Sequence, residues 1–437
     1  MSWFWTAPLL LLSVLQNVCA QNIANGGWVD AWTAMPQLTE PQNLPPPPFN
    51  ASDSVFFNST IRQTLHMTIP GNEIRIRFSN AFGVNDLNIT AATVALPVGG
   101  VSGASAIEMI TLKTLTFSGS PSFIVPNGAL VVSDPIAFPI KSQQTITVTL
   151  YLAQGEDGFD ITSHPGSRAT TWISFGDYVS TENMTDPSTT SLAHWYFVSA
   201  VETFTSSASA FVIVGDSLTD GRESITDENN RLNTLRWPDL LLARMQKNSA
   251  TSAISVNNQA AGGNRILADI SGPNALGRID RDVLAQTGVK YAMIFEGVND
   301  IGEEDATPEA QQIIGDRLIA AFQQIATRVH AAGIPLFAST ITPFNAPAND
   351  SAIQPYSSPV REVTRQRVNK FIRTSGTFDA VIDFDKVVAD PAIPSQLSPT
   401  FNSGDFLHPN VAGYTAIAAA FPLGLFEQFA EGVSWYR

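Results

Sequence analysis

A serine, a histidine and an aspartate in this chain stand in settings that suit proton transfer. Ser217 lies in "FVIVGDSLTDG", residues 211 to 221, where four apolar residues run into Gly215 and Asp216. It therefore sits where a strand gives way to a loop, and two readings are open. A serine hydroxyl is a nucleophile once a neighbouring base takes its proton. Equally, Asp216, Ser217 and Thr219 are all good residues for starting a helix. Near the C-terminus, "SGDFLHPN" places Asp405 three residues before His408. A carboxylate that close can hold one imidazole nitrogen while the other faces solvent, as a general base requires.

Two further stretches end strands. "NNQAAGGNRI" carries Gly262 and Gly263, which permit positive φ or a close backbone approach. "FEGVNDIG" carries Asn299, whose amide can donate hydrogen bonds into a cleft. Taken alone, each reads more readily as an ordinary turn. Asp300 reads as a turn residue or a support behind the site, and Asp216 and Asp220 as caps or braces of the serine loop. His330 falls in the last turn of a helix, where a cation suits the dipole, so it reads as structural. His66, His164 and His194 lie upstream with no serine motif nearby; His164 in "TSHPGSR" could face the cleft, but reads more readily as a satisfied loop histidine.

The elements that must position these residues change character along the chain. After "NLPPPPFN", an extended connector, apolar residues alternate with period two. Ile74, Ile76 and Phe78 share one face, as do Ile146, Val148, Leu150 and Leu152. Such alternation reads as antiparallel strands with one face buried. Residues 22–203 are expected to form an all-β sandwich, jelly-roll-like domain. From 210 to 437 short apolar runs alternate with amphipathic helices. One helix opens at Thr307-Pro308, places Ile314, Leu318, Phe322, Ile325 and Val329 on one stripe, and closes at Gly333. Others open at Ser358-Pro359 and after Asn410. Strands alternating with helices predict a parallel sheet covered on both faces, hence an α/β second domain. Ligands of such sheets bind beyond the carboxyl ends of the strands, where Ser217 lies.

Bulk properties narrow the partners. The 437 residues are 44% hydrophobic and 14% charged, a globular composition long enough for two domains. With 39 acidic against 24 basic residues the net charge is -15. Such a surface repels nucleic acid and anionic lipid headgroups. Residues 1–20 read as a secretory signal peptide, a leucine-rich run followed by Val18-Cys19-Ala20, though without a basic start. Cleavage there removes the only cysteine and leaves no disulfide. Asn50, Asn58, Asn88, Asn183 and Asn349 satisfy the glycosylation sequon and agree with a secreted, extracellular protein.

Gly-Asp-Ser-Leu after a first strand, Gly after a second, Gly-x-Asn-Asp after a third and Asp-x-x-His near the C-terminus resemble the GDSL or SGNH hydrolases, in family order over residues 211–429. "WVDAWTAMPQ", "IRIRFSNAFG", "SDPIAF" and "RIDRDVL" extend the resemblance upstream and within the second half to secreted two-domain GDSL-like lipases or acylhydrolases, some grouped with acetylxylan esterases. The resemblance implies a flavodoxin-like three-layer αβα catalytic domain. It makes Ser217 the nucleophile, His408 the base and Asp405 the residue that orients it. Oxyanion donors would be the backbone N–H of Ser217, that of Gly263, with Gly262 adjacent, and the side-chain amide of Asn299.

The expected activity is that of a serine esterase removing short acyl groups, acetyl above all, from carbohydrate or small alcohols. A lipase or arylesterase for longer acyl chains and a non-catalytic glycan-binding protein are the alternatives. No G-x-S-x-G, H-E-x-x-H, cysteine pair, Walker loop or G-x-G-x-x-G appears, so neither metal nor cofactor is expected. The polar loop "GRESITDENNRL" after Ser217 suits a wet cleft.

Overall fold

A computed structural model of the chain describes residues 26–51, 54–224 and 234–434. The signal segment with Cys19, and most of the loop "GRESITDENNRL", lie outside the described residues.

The first half is built on two antiparallel sheets. In one, Gly27–Thr33, Val198–Thr205, Gly71–Ser79 and Leu130–Val132 lie side by side, with Ile136–Ile140 also paired to Gly71–Ser79. The other runs Thr190–Leu192, Thr171–Phe175, Ser59–His66, Thr145–Leu152, Ala91–Ala95 and Lys113–Thr114. Ile74, Ile76 and Phe78 from the first sheet join Ile146, Val148, Leu150 and Leu152 from the second in one buried cluster. The period-two faces are thus the inner faces of packed sheets.

The outer face differs from the sequence expectation. Along Ser59–His66 every residue is buried, and Thr147 and Thr149 of the neighbouring strand are buried too. Arg62 explains how polar residues tolerate this. Its guanidinium donates to the carbonyls of Ser105, Tyr178, Thr181 and Glu182, tying overlying loops onto the sheet. Burial lowers its pKa to about 10, so the side chain still carries its charge.

The second half contains a five-stranded, fully parallel sheet. Its strands are β1 (Ser209–Gly215), β2 (Ile254–Ala260), β3 (Val289–Phe295), β4 (Leu336–Ser339) and β5 (Ala380–Ile382). Their spatial order is β2-β1-β3-β4-β5. That order reverses between β1 and β3, the switch point at which a doubly wound sheet opens a crevice. Phe211, Val212, Ile213 and Val214 are all buried, so both faces of β1 are covered. Helices supply the cover in pairs: Pro308–Ala331 against Pro359–Thr374, and Trp237–Met245 against Val411–Ala420.

The helix signals act locally as the residues suggest. Thr307 accepts a hydrogen bond from the Ala310 N–H, with Pro308 at the first helical position. Ser358 and Asn410 cap their helices in the same way. His330 sits in the last turn of its helix and bonds Asp379 at 2.8 Å.

The two halves meet along the strand Gly27–Thr33. The Asp30 N–H donates to the Thr287 carbonyl at 3.0 Å, and the Thr287 N–H returns a bond to Asp30 Oδ2 at 2.8 Å. Asn257 on β2 donates to the Asp30 carbonyl, while Arg77 reaches Gln286 and Thr287. Gly288 lets Val29 approach: a Cβ there would stand 2.8 Å from the Val29 side chain.

Candidate active site

Ser217 is the first residue of a one-turn helix, Ser217–Asp220, that leaves the end of β1. Asp216 caps this turn by accepting from the Leu218 N–H at 2.9 Å. The capping reading thus belongs to Asp216, and Ser217 is presented at the carboxyl edge of the sheet. Gly221 closes the turn with φ of 89°, a left-handed value that suits glycine.

His408 arrives from the loop between residues 402 and 410. Asn402 Oδ1 accepts from the Gly404 and Phe406 N–H groups, holding the bend, and Phe406 adopts a positive φ of 61°. The outcome is a continuous hydrogen-bonded chain. Ser217 Oγ lies 2.8 Å from His408 Nε2, and His408 Nδ1 lies 2.6 Å from Asp405 Oδ2. The other Asp405 oxygen accepts from the Leu407 and His408 N–H groups. Partial burial works against the Asp405 charge. The hydrogen bond and charge of His408, with those two backbone donors, nevertheless hold its carboxyl well below the usual range. An ionised carboxylate only accepts, so Nδ1 carries a proton, and Nε2, when it carries none, is left to accept from the serine.

Opposite the serine, the loop after β2 is fixed from behind. Asn264 is fully buried: its amide donates to the Ser271 and Pro273 carbonyls, and its Oδ1 accepts from Arg278. Asp300 accepts from the Ile266 and Leu267 N–H groups, both at 2.9 Å. Gly263 has φ of 77°, and a Cβ there would stand 2.7 Å from Ser271 Oγ; at Gly262 the nearest atom would be 3.8 Å away. Only Gly263 of the pair is thus demanded by the backbone, although both face the cleft. Asn299, in the helix Val298–Glu303, gives one N–H to the Asn264 carbonyl at 2.9 Å. Its second amide N–H remains for a ligand.

Behind these residues lies a buried cluster of acids around Arg278. Burial raises Asp216 to about 7, Glu296 to about 8 and Asp300 to about 6, partly offset by Arg278 at Asp216 and Glu296 and by backbone N–H donors at Asp216 and Asp300. Arg278 also donates to the Gly215 and Gln259 carbonyls, joining the ends of β1 and β2. Its place in "RIDRDVL" gave no sign of this role, because its partners lie far away in sequence.

His164 corrects the sequence reading. It is satisfied, as read, but not in a loop: it ends the strand Thr162–His164, buried, with Nε2 3.1 Å from Asp220 Oδ1. Its Nδ1 faces the Met35 carbonyl at 3.1 Å. Burial opposes the Asp220 charge, but His164, Arg168 and Arg236 hold the carboxyl below its ordinary value. His66 and His194 are packed in the first half, His66 buried and His194 half-buried with Nδ1 against the Pro165 and Ala193 carbonyls. Tyr356 was also missed; its hydroxyl donates to Glu303 at 2.7 Å and stands 3.2 Å from Asn299 Oδ1.

Ser217, His408, Gly263, Asn299 and Tyr356 face one cleft of about 390 Å³. Much of the rest of its wall comes from the first half of the chain, including Gln37, Glu40 and Arg168. Residues 211–421 match the family model described as GDSL-like lipase/acylhydrolase. This part of the chain is a GDSL-like lipase/acylhydrolase domain. The protein is accordingly a carboxylic ester hydrolase, and the GDSL domain comprises the parallel sheet and its helices.

No curated protein matches the chain. Among solved structures, a variant of an acetyl xylan esterase from Geobacillus stearothermophilus is 20% identical, covering 49% of this chain and 93% of its own, with a TM-score of 0.37. A GDSL-like lipase from Bacteroides thetaiotaomicron is 16% identical, covering 51% and 87%, with a TM-score of 0.34.

Among the described residues no three His, Cys, Asp or Glu side chains are grouped to hold a metal ion, and no helix is long and apolar enough to cross a membrane. The sequon residues Asn183 and Asn349 are exposed, whereas Asn50, Asn58 and Asn88 are half-buried. Asn58 Oδ1 also accepts from the Tyr151 hydroxyl.

Proposed function

We propose that the protein is a secreted serine esterase that transfers a short acyl group, acetyl above all, from an ester of a carbohydrate or small alcohol to Ser217 and then to water. The observation that carries this reading is the chain Ser217–His408–Asp405, with contacts of 2.8 and 2.6 Å. Ser217 Oγ attacks the ester carbonyl carbon while its proton passes to His408 Nε2. Asp405, bonded to Nδ1, stabilises the resulting imidazolium. His408 then gives the proton to the departing alkoxide as the carbonyl–oxygen bond breaks, leaving an acyl-serine. Water repeats the sequence, losing a proton to His408 and releasing the acid. The carbonyl oxygen becomes negative in each tetrahedral intermediate, and the donors assigned to it are the N–H groups of Ser217 and Gly263 and the second N–H of Asn299.

The character of the walls supports the short acyl group. Amides, carboxylates and guanidinium groups outnumber apolar side chains around the cleft. Each methylene of a long acyl chain gains about 0.8 kcal/mol only when it leaves water for apolar surroundings, which these walls do not offer. Secretion after residue 20, glycosylation at the sequons, and the division into domains 22–203 and 210–437 are parts of the same proposal.

A series of p-nitrophenyl esters from acetate to dodecanoate tests it. The expectation is the highest kcat/KM at acetate or propionate, and loss of at least ~10³-fold on Ser217→Ala. An optimum at eight carbons or more would favour the lipase alternative. Binding of polysaccharide without hydrolysis of any ester would favour the glycan-binding one.

A further inference from the structure

We infer that the first half of the chain builds the subsite for the alcohol side of the ester, that Arg168 heads it, and that the alcohol is a polyhydroxylated one, a glycosyl unit. This rests on the reading of Ser217 as the nucleophile and extends it to the group that leaves.

The segment "TSHPGSR" reaches across to the serine turn. His164 bonds Asp220, the last residue of the turn that Ser217 begins. Gly166 lies against the same carboxylate so closely that a Cβ there would stand 1.7 Å from Asp220 Oδ2. Only glycine permits that approach. Two residues on, Arg168 carries a φ of 51°, left-handed and costly for a side-chain-bearing residue. Its Nε is buried with no hydrogen-bond partner, and its nearest acid, Asp220, is 3.8 Å from the guanidinium. The residue that carries both the strained backbone and the unpaired N–H lines the cleft beside Ser217. Strain of this kind concentrates at ligand sites.

The neighbouring wall is built for hydroxyl groups. Gln37 pairs in register with Ser163 in the strand that His164 ends, and Gln42 and Asn43 lie in the turn Pro41–Asn43. Glu40 accepts from the Gln37 amide at 2.6 Å and from the Asn43 amide at 2.9 Å. Both amides are thereby held, with their oxygens left as acceptors. Gln42 is exposed and free to supply a donor and an acceptor. A hydroxyl both donates and accepts, so a polyol can satisfy this mixture. An apolar alcohol would desolvate the same groups without replacing their bonds. The charges oppose each other, Glu40 and Asp220 against Arg168 and Arg222, so the wall does not select an anion.

Two acetyl esters differing only in their alcohol separate this subsite from the catalytic reading: an O-acetylated xylo-oligosaccharide and p-nitrophenyl acetate. Arg168→Ala is expected to lower kcat/KM for the oligosaccharide at least tenfold more than for the aryl ester, chiefly through KM. Arg168→Lys should recover part of that difference. Gln42→Ala, at an exposed position that leaves folding intact, should shift the ratio in the same direction by a few fold. Equal losses on both esters in Arg168→Ala, or an unchanged ratio in Gln42→Ala, would overturn the subsite. So would a wild-type enzyme that cleaves only the aryl ester, while leaving Ser217 as nucleophile in place. Hydrolysis of neither ester would sink both readings.

Discussion

At the scale of single residues, the chemistry depends on hydrogen bonds whose direction the surroundings dictate. Asp405 is held ionised, so Nδ1 carries a proton and the serine faces Nε2, an acceptor when it carries none. Asn299 is held similarly: with one N–H bonded to the Asn264 carbonyl, the amide cannot turn, and the second N–H keeps its aim. On the proposed role of Asn299 as an oxyanion donor, Asn299→Ala should lower kcat by roughly 10²–10³-fold while KM changes little, because such a donor serves the intermediate more than the substrate. Steady-state kinetics on p-nitrophenyl acetate check this; a rise in KM at constant kcat would place Asn299 in ground-state binding instead. Ser217 and Asn299 were marked by the strand ends they follow, and Asp405 and His408 by their three-residue spacing, but it was the resemblance that assigned their roles. His164, Arg168, Arg278 and Tyr356 were not. Their partners lie far along the chain, and no local pattern records such a meeting.

At the scale of elements, the parallel sheet sets where everything stands. The apolar runs and capped helices made that sheet legible, as the Thr307 and Asn410 caps illustrate, and the period-two faces did the same for the inner sides of the antiparallel sheets. The outer side of Ser59–His66 was not legible. Its cover comes from loops pinned by Arg62, and a buried arginine looks like a surface one in a sequence. The loop after β2 is a second element whose precision comes from elsewhere, through Asp300 and Asn264. Gly263→Ala should disturb it, since the new Cβ would meet Ser271 Oγ at 2.7 Å on a backbone with φ of 77°. The expected result is a loss of more than ~1 kcal/mol in stability, read by urea denaturation, together with a lower kcat. Gly262→Ala, with open space at 3.8 Å, should be the milder of the two.

At the scale of the whole molecule, buried acids dominate the response to pH. Burial raises Glu296 to about 8 and Asp30, at the junction of the two halves, to about 7, with Asp216 also near 7. These groups bind protons more tightly folded than unfolded. Their contribution is full below the ordinary values of 3.8 to 4.5 and is lost as pH rises through 7 to 8. Asp405 runs the other way, contributing above its ordinary value and losing that as pH falls. Thermal unfolding should accordingly show its highest midpoint near pH 4 to 5 and a decline toward pH 8; a midpoint that climbs over that interval would contradict this. The claim on which the rest depends is that the folded chain possesses one activated serine, and that it is Ser217. Treating the intact protein with diisopropyl fluorophosphate and measuring its mass, then mapping the adduct by peptide fragmentation, tests that claim directly. A single adduct on Ser217, absent from Ser217→Ala and accompanied by full loss of esterase activity, is the predicted result. An unlabelled Ser217 in an active enzyme, or activity that survives complete labelling, would contradict it.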